Sequence, residues 1–226
     1  MSSVAIRTIL PGMKKSAASD RFHLPGSSYD KRPAIKVTGG EGRCVTGWEQ
    51  VCEMLGRAVG AQGMRRCVMT VECYTGVFED EIAGKLQALG PVRMVRSAQA
   101  FLPPAEIERK VAPFNGGDDP VFGRMNELGM GDMMDAERVR QLAGEIEGIE
   151  EGLVIVLGNG ASLIHPGDIL VYADLARWEA QLRMRRNEIS NLGVENRDLK
   201  WSLQYKRAYF TDWRICDRLK RETMGR

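Results

Sequence analysis

Three short runs constrain this chain more than any other feature: Cys67-Val68-Met69-Thr70-Val71, Leu153–Leu157 and Ile169–Ala173. Each is apolar on both alternating faces, so a strand made of it needs cover above and below the sheet. Between them lie stretches with a helical period. Trp48, Val51, Cys52, Leu55 and Val59 predict a helix over 47–60, with Gly60 and Gly63 placed to end it. Further helices are predicted at 78–89, at 104–112 behind Pro103-Pro104, and at 135–147 with Asp135 as N-cap. Val92–Val95 predicts another strand. Strands alternating with helices make a three-layer α/β fold with a mostly parallel sheet, the three apolar runs neighbouring one another at its centre.

Around this domain, taken as residues 41–226, the texture changes. Residues 1–40 repeat Ser, Pro and Gly and sustain no period, which predicts an extended arm, with Ile35-Lys36-Val37 able to form a short edge strand. The segment from Tyr205 predicts an aromatic strand followed by a closing helix capped near Asp212. With 226 residues, 43% of them hydrophobic, the chain is long enough for one sizeable core. No apolar run approaches the ~18–20 residues of a membrane span, and the N-terminus lacks a signal-peptide pattern. A cytoplasmic protein with no membrane partner is the expectation. Five cysteines without CxxC spacing predict free thiols, mostly buried. His23 and His165 are the only histidines, too few for an imidazole-rich metal centre, so no metal is expected.

The net charge of +2 hides an asymmetry. Residues 1–176 carry −4 and residues 177–226 carry +6. A basic C-terminal fifth points to an anionic ligand. Its candidate contacts are Arg183, Arg186, Lys206 and Arg207, on and beyond a helix expected to bury Leu175, Trp178 and Leu182. A phosphorylated small molecule is the expected anion. A mean charge this modest, with no recognition motif, argues against nucleic acid.

Two turns follow central strands, where α/β proteins hold phosphates. In the first, the loop beginning at Glu72-Cys73 runs through Tyr74, Thr75 and Gly76 to Val77-Phe78-Glu79-Asp80-Glu81. It has the place of a phosphate loop but a single glycine, no lysine and three consecutive acids, so it is a degenerate version. The second, Gly158-Asn159-Gly160-Ala161, is expected to be a tight turn. His165, before a proline, and Asp118-Asp119, beside Pro120, are expected to shape turns.

Several blocks together resemble a known family: Gly47-Trp48-Glu49, Val71 to Val77, Ala112 to Phe114, Asp118 to Gly123, Asp168 to Asp174, Asn191-Leu192-Gly193 and Tyr205 to Trp213. In this order they resemble the N-terminal region of bacterial class I mannose-6-phosphate isomerase-like proteins, over about residues 30–222. The resemblance implies a P-loop kinase-like domain of the uridine kinase type with a degraded phosphate loop. It also implies a zinc-dependent cupin domain, absent from this chain, that converts mannose 6-phosphate to fructose 6-phosphate. The expected role is therefore a non-catalytic domain partnering a cupin isomerase domain or subunit, with no cofactor of its own and with homo-oligomers left open. The alternative is a nucleoside or sugar kinase using the four basic residues as an atypical phosphate site.

Overall fold

A computed structural model describes the backbone of Ser3–Arg7, Thr38, and residues 44–225 except 118 and 120. The three apolar runs become β2 (Arg66–Cys73), β4 (Gly152–Gly158) and β5 (Ile169–Asp174), joined by β3 (Arg93–Arg96) and β1 (Ser3–Arg7). The sheet order is β1-β5-β2-β4-β3, and every pairing is parallel. The three runs are neighbours, as their composition required. Val68 aligns with Val154, Val71 with Leu157, and Val71 with Val171.

Alternation along the strands feeds two cores. Cys67, Met69, Val71, Leu153, Ile155, Leu157, Ile169 and Val171 pack beneath α1 (Trp48–Gln62) and α2 (Glu79–Leu86), which contribute Val51, Leu55, Ile82 and Leu86. Val68, Val154, Val156 and Tyr172 face the opposite layer. That layer holds α3 (Pro104–Asn115), α4 (Ala136–Glu147), the single turn α5 (Ala161–Ile164), α6 (Arg177–Arg185) and α8 (Trp213–Met224). Each fully buried Leu, Ile or Val is worth about 2 kcal/mol relative to leaving it in water, which is why strands without a polar face are stable only in a covered sheet. The protein is a three-layer α/β fold.

Local signals acted where expected. Gly63 ends α1 in the left-handed conformation, φ 61°, and its N–H donates to Gly60 O at 3.3 Å. Asp135 caps α4 by accepting from the Glu137 and Arg138 amides at 2.8 and 3.2 Å. Among the described residues, no helix is long and apolar enough to cross a membrane.

Four expectations are corrected. Within the segment read as an arm, Ser3–Arg7 is an edge strand beside β5; Ile35–Val37 lies outside the described residues. Glu72 and Cys73 belong to β2, not to the loop after it. The turn at 158–160 leads directly into a helical turn, α5. The aromatic tail is no strand: α7 (Trp201–Arg207), a π-turn (Ala208–Asp212) and α8 run on as one helical segment. Tyr205, Tyr209 and Trp213 recur every four residues, and in this segment the rings meet. Tyr205 and Tyr209 stack at 6.3 Å, and Tyr205 meets Trp213 edge-on at 5.5 Å. Ring packing along one stripe outweighs the strand preference of aromatic residues.

Candidate functional site

The chain goes from β2 to β3 at the far edge, returns to place β4 between them, then crosses to β5 on the other side of β2. The segments leaving β2 and β4 therefore depart to opposite faces, α2 to one and α5 to the other. A crevice opens between them at the strand C-termini, the ligand side of such sheets. A cleft of about 1110 Å³ lies there, bounded by Thr75–Glu81, by Arg96 at the end of β3 and Ser97 after it, by Asn159 after β4, and by the 188–195 loop.

The crevice holds anions, but they are the protein's own. Glu72, 1% exposed, reaches from β2 to the turn after β4. Its Oε1 accepts from the Gly160 amide at 2.7 Å and its Oε2 from the Ser162 amide at 2.9 Å. Glu79, first residue of α2, accepts from both the Asn159 amide (3.2 Å) and Asn159 Nδ2 (2.8 Å) through Oε1. The amides that could cradle a phosphate are committed to these carboxylates. Burial pushes the Glu72 carboxyl up to about 7, against the lowering effect of the Ser162 and Gly160 donors. Burial also raises Glu79, opposed by its Asn159 hydrogen bonds and by Arg96. Arg96 closes the cluster, 2.6 Å from Asp80 and 3.8 Å from Glu79 Oε2.

Gly158 makes this arrangement fit. Its φ is +130°, and a Cβ there would collide with Ser97 Oγ and come within 3.0 Å of Glu79 Oε2. Gly158→Ala is expected to lose about 2–4 kcal/mol through backbone strain and displacement of the Glu79 clamp. A urea titration showing less than about 1 kcal/mol would mean the turn relaxes freely.

The loop read from the sequence as a degenerate phosphate loop follows β2. Tyr74 is buried and its hydroxyl donates to Asp217 at 2.8 Å; burial raises its pKa. Thr75 is buried at the cleft edge, and Gly76, φ +89°, packs against Ile189 and Leu175. The Gly76 carbonyl accepts from Arg183 at 2.8 Å, so this loop is pinned from outside by a cation rather than opened toward a ligand.

The four basic candidates are not brought together on an open surface. Arg183 is 3% exposed, bonded to Glu179 at 3.1 Å, with its guanidinium 3.8 Å from the Phe78 ring centre. Arg186 grips Glu188 at 2.8 and 2.9 Å and Glu179 at 3.2 Å. Lys206 donates to the carbonyls of Gly117, at 2.6 Å, and Asp119. Arg207, 4% exposed, serves Leu192 O at 2.8 Å, Asp212 and Glu108. All four have internal partners. The expected buried face is met only in part: Leu175 is buried, but Trp178 is 63% exposed, while Arg183 is buried with Ala180 and Met184. A guanidinium buries readily over an aromatic ring with carbonyl and carboxylate partners, and that combination was not visible in the helical period.

Of the remaining polar candidates, Asp118 lies outside the described residues, and Asp119 Oδ1 accepts from the Val121 and Phe122 amides at 2.7 and 3.0 Å. His165 Nδ1 accepts from the Gly167 amide at 2.9 Å, so Nε2 carries the proton it shares with Glu147 at 3.0 Å. Among the described residues, no three His, Cys, Asp or Glu side chains converge as a metal site requires. All five cysteines are free; Cys67, Cys73 and Cys216 are buried, and burial raises each of these thiols.

Fold and crevice together define a parallel α/β protein whose switch-point crevice is bridged by its own buried carboxylates. Residues 47–226 match the family described as Domain of unknown function (DUF8485), and the chain belongs to that family. No curated protein and no solved structure matches it.

Proposed function

We propose that this chain is a non-catalytic, kinase-like domain that supports a cupin-type sugar-phosphate isomerase, carried on a longer parent chain or on a separate subunit. Strand order supports the kinase-like part. Counting from β2, the second strand lies at the edge, the third returns beside the first, and the fourth falls on the other side, leaving the degenerate loop at mid-sheet. The observation that carries the non-catalytic part is the double carboxylate clamp of Glu72 and Glu79 on the turn after β4.

Phosphoryl transfer depends on donors and cations that neutralise charge on the moving group. Here Glu79, Asp80 and Glu81 open α2, and Arg96 is paired to two of them. A phosphate brought within ~5 Å of one uncompensated carboxylate loses about 3 kcal/mol at an effective dielectric near 20, more than a hundredfold in affinity. The expectation is no measurable ATP turnover with nucleoside or sugar acceptors. The supporting role is tested by adding the purified chain to a cupin-type mannose-6-phosphate isomerase from the same organism. Co-elution with a changed kcat/KM is expected. ATP turnover that survives repurification, or no co-elution and no kinetic effect, would refute the proposal.

A further inference from the structure

Helix α6 turns toward solvent a face that the fold does not use. Trp178, 63% exposed, shares one stripe with Gln181, Leu182 and Arg185, the spacing of residues one and two turns apart. Among the described residues the Trp178 ring meets no other ring and no cation. Arg185, at the far end of the stripe, holds its guanidinium 4.5 Å from the ring centre of Trp201, itself 40% exposed. Its neighbours Arg183 and Arg186 are both paired to Glu179, but Arg185 has no carboxylate partner among the described residues. Beside the stripe, Tyr205 stacks with the half-exposed Tyr209, and Arg214 lies 5.5 Å from the Tyr209 ring centre.

Trp, Tyr and Arg concentrate binding energy in protein interfaces, whereas Lys is depleted there. Residues 177–226 hold ten arginines and three lysines. Guanidinium groups already stacked on rings lose less freedom on docking. The rings of Trp178, Trp201 and Tyr209 leave roughly 350 Å² uncovered, close to half of the ~800 Å² a stable interface buries on each side. The stripe is also complementary to itself. Trp178 and Arg185 are seven residues, about 10.5 Å, apart along the helix, with Gln181 and Leu182 midway. A two-fold axis between residues 181 and 182 lays α6 antiparallel to its copy and sets Trp178 of each chain opposite Arg185 of the other. Each guanidinium then lies between its own Trp201 and the second copy's Trp178, and an indole with no contact gains a cation. The chain's own N-terminal segment is a poorer occupant. Residues 1–43 carry eight Lys and Arg against three Asp and Glu, the same sign as the face.

We infer that this face binds a second copy of the chain, forming a two-fold dimer in which Trp178 of each copy packs on Arg185 of the other. The inference goes beyond the isomerase-partner reading and is independent of it, because the purified chain alone tests it.

Sedimentation velocity of the intact chain from about 1 to about 200 μM measures the association directly. A monomer–dimer equilibrium is expected, with dimer predominant at the upper end. Trp178→Lys places a second cation against Arg185 and is expected to weaken dimerisation at least about tenfold. Its urea midpoint, taken at about 1 μM where monomer prevails, is expected to stay unchanged because the side chain is exposed in the monomer. Adding Arg185→Glu to Trp178→Lys restores an opposite-charge pair across the axis and is expected to recover part of the loss, a rescue that mere damage to the fold would not give. The inference is overturned by a wild-type chain that stays monomeric throughout, by Trp178→Lys dimerising as tightly as wild type, or by a double variant no tighter than the single one. Assemblies that keep growing with concentration would also overturn it, since a two-fold contact closes on itself.

Discussion

Stability is expected to fall as pH rises from 4.5 to 7, the reverse of ordinary acid denaturation, because folding raises the Glu72 carboxyl from its usual 4.5 to about 7. Burial is the main cause. In the unfolded chain Glu72 ionises near 4.5, while in the fold it holds its proton until about 7. Between these values the folded state binds the extra proton, so each unit of rising pH removes up to about 1.4 kcal/mol, and roughly 3 kcal/mol in all. Glu79 is raised for the same reason and adds in the same direction. The lowered groups, Asp119 accepting from the Phe122 and Val121 amides, Glu147 beside Arg66 and Glu188 beside Arg186, act elsewhere: their contribution is lost only as pH drops below the usual carboxylate range. In a domain of this size the melting temperature is expected to drop by about 6–12 °C across the window. Glu72→Gln is isosteric and does not titrate. It presents an NH2 to one of the two amides, so it is expected to be the less stable protein near pH 5 and to have a much flatter pH profile. A Glu72→Gln profile as steep as wild type would place the titration on another group.

Much of this architecture was legible because it follows from a few strong signals. An apolar run with no polar face has few places to go, and 67–71, 153–157 and 169–173 found the centre of a covered parallel sheet. Caps such as Asp135 and Gly63 act within a few residues, so their spacing shows in the sequence. The site was less legible because its bonds span long separations. Glu72 and Gly160 are 88 residues apart, and nothing local marks them as partners. A signal did exist: a lone carboxylate ending an apolar strand, opposite a Gly-Asn-Gly turn that ends another, suggests an internal ligand for those amides. The arginines were misplaced for a related reason. A helical period sorts residues by hydrophobicity, and Arg183 buries its charge over Phe78 with Glu179 and the Gly76 carbonyl, contacts made mostly from other elements. Asp212, expected to cap the last helix, makes no capping bond there because it is turned inward.

That inward turn is the basis of the second large effect. Asp212 is 1% exposed in the π-turn, an insertion often found at functional sites. Its Oδ2 accepts from Asn191 Nδ2 at 2.7 Å and the Leu192 amide at 3.3 Å, and its Oδ1 faces Arg207 Nε at 3.4 Å. Arg207 in turn holds the Leu192 carbonyl at 2.8 Å. The pair thus fastens both backbone groups of Leu192, in the loop that forms the apolar wall of the cleft. Asp212→Ala leaves a guanidinium, an amide and a side-chain NH2 buried without this acceptor, and is expected to cost about 3–5 kcal/mol. Asp212→Asn keeps one acceptor while removing the charge opposite Arg207, and should cost about half as much. Adding Arg207→Met to Asp212→Ala removes the stranded cation and should recover part of the loss, since breaking a buried pair is worse than replacing both members. Urea midpoints at constant m-value measure the three variants, and hydrogen exchange at the Leu192 amide reports the wall directly. Faster exchange at Leu192 in Asp212→Ala, beyond what the global loss accounts for, is the expected result. A cost below about 1 kcal/mol with unchanged exchange would mean the loop is held by its apolar contacts alone, through Ile189, Leu192 and Val194.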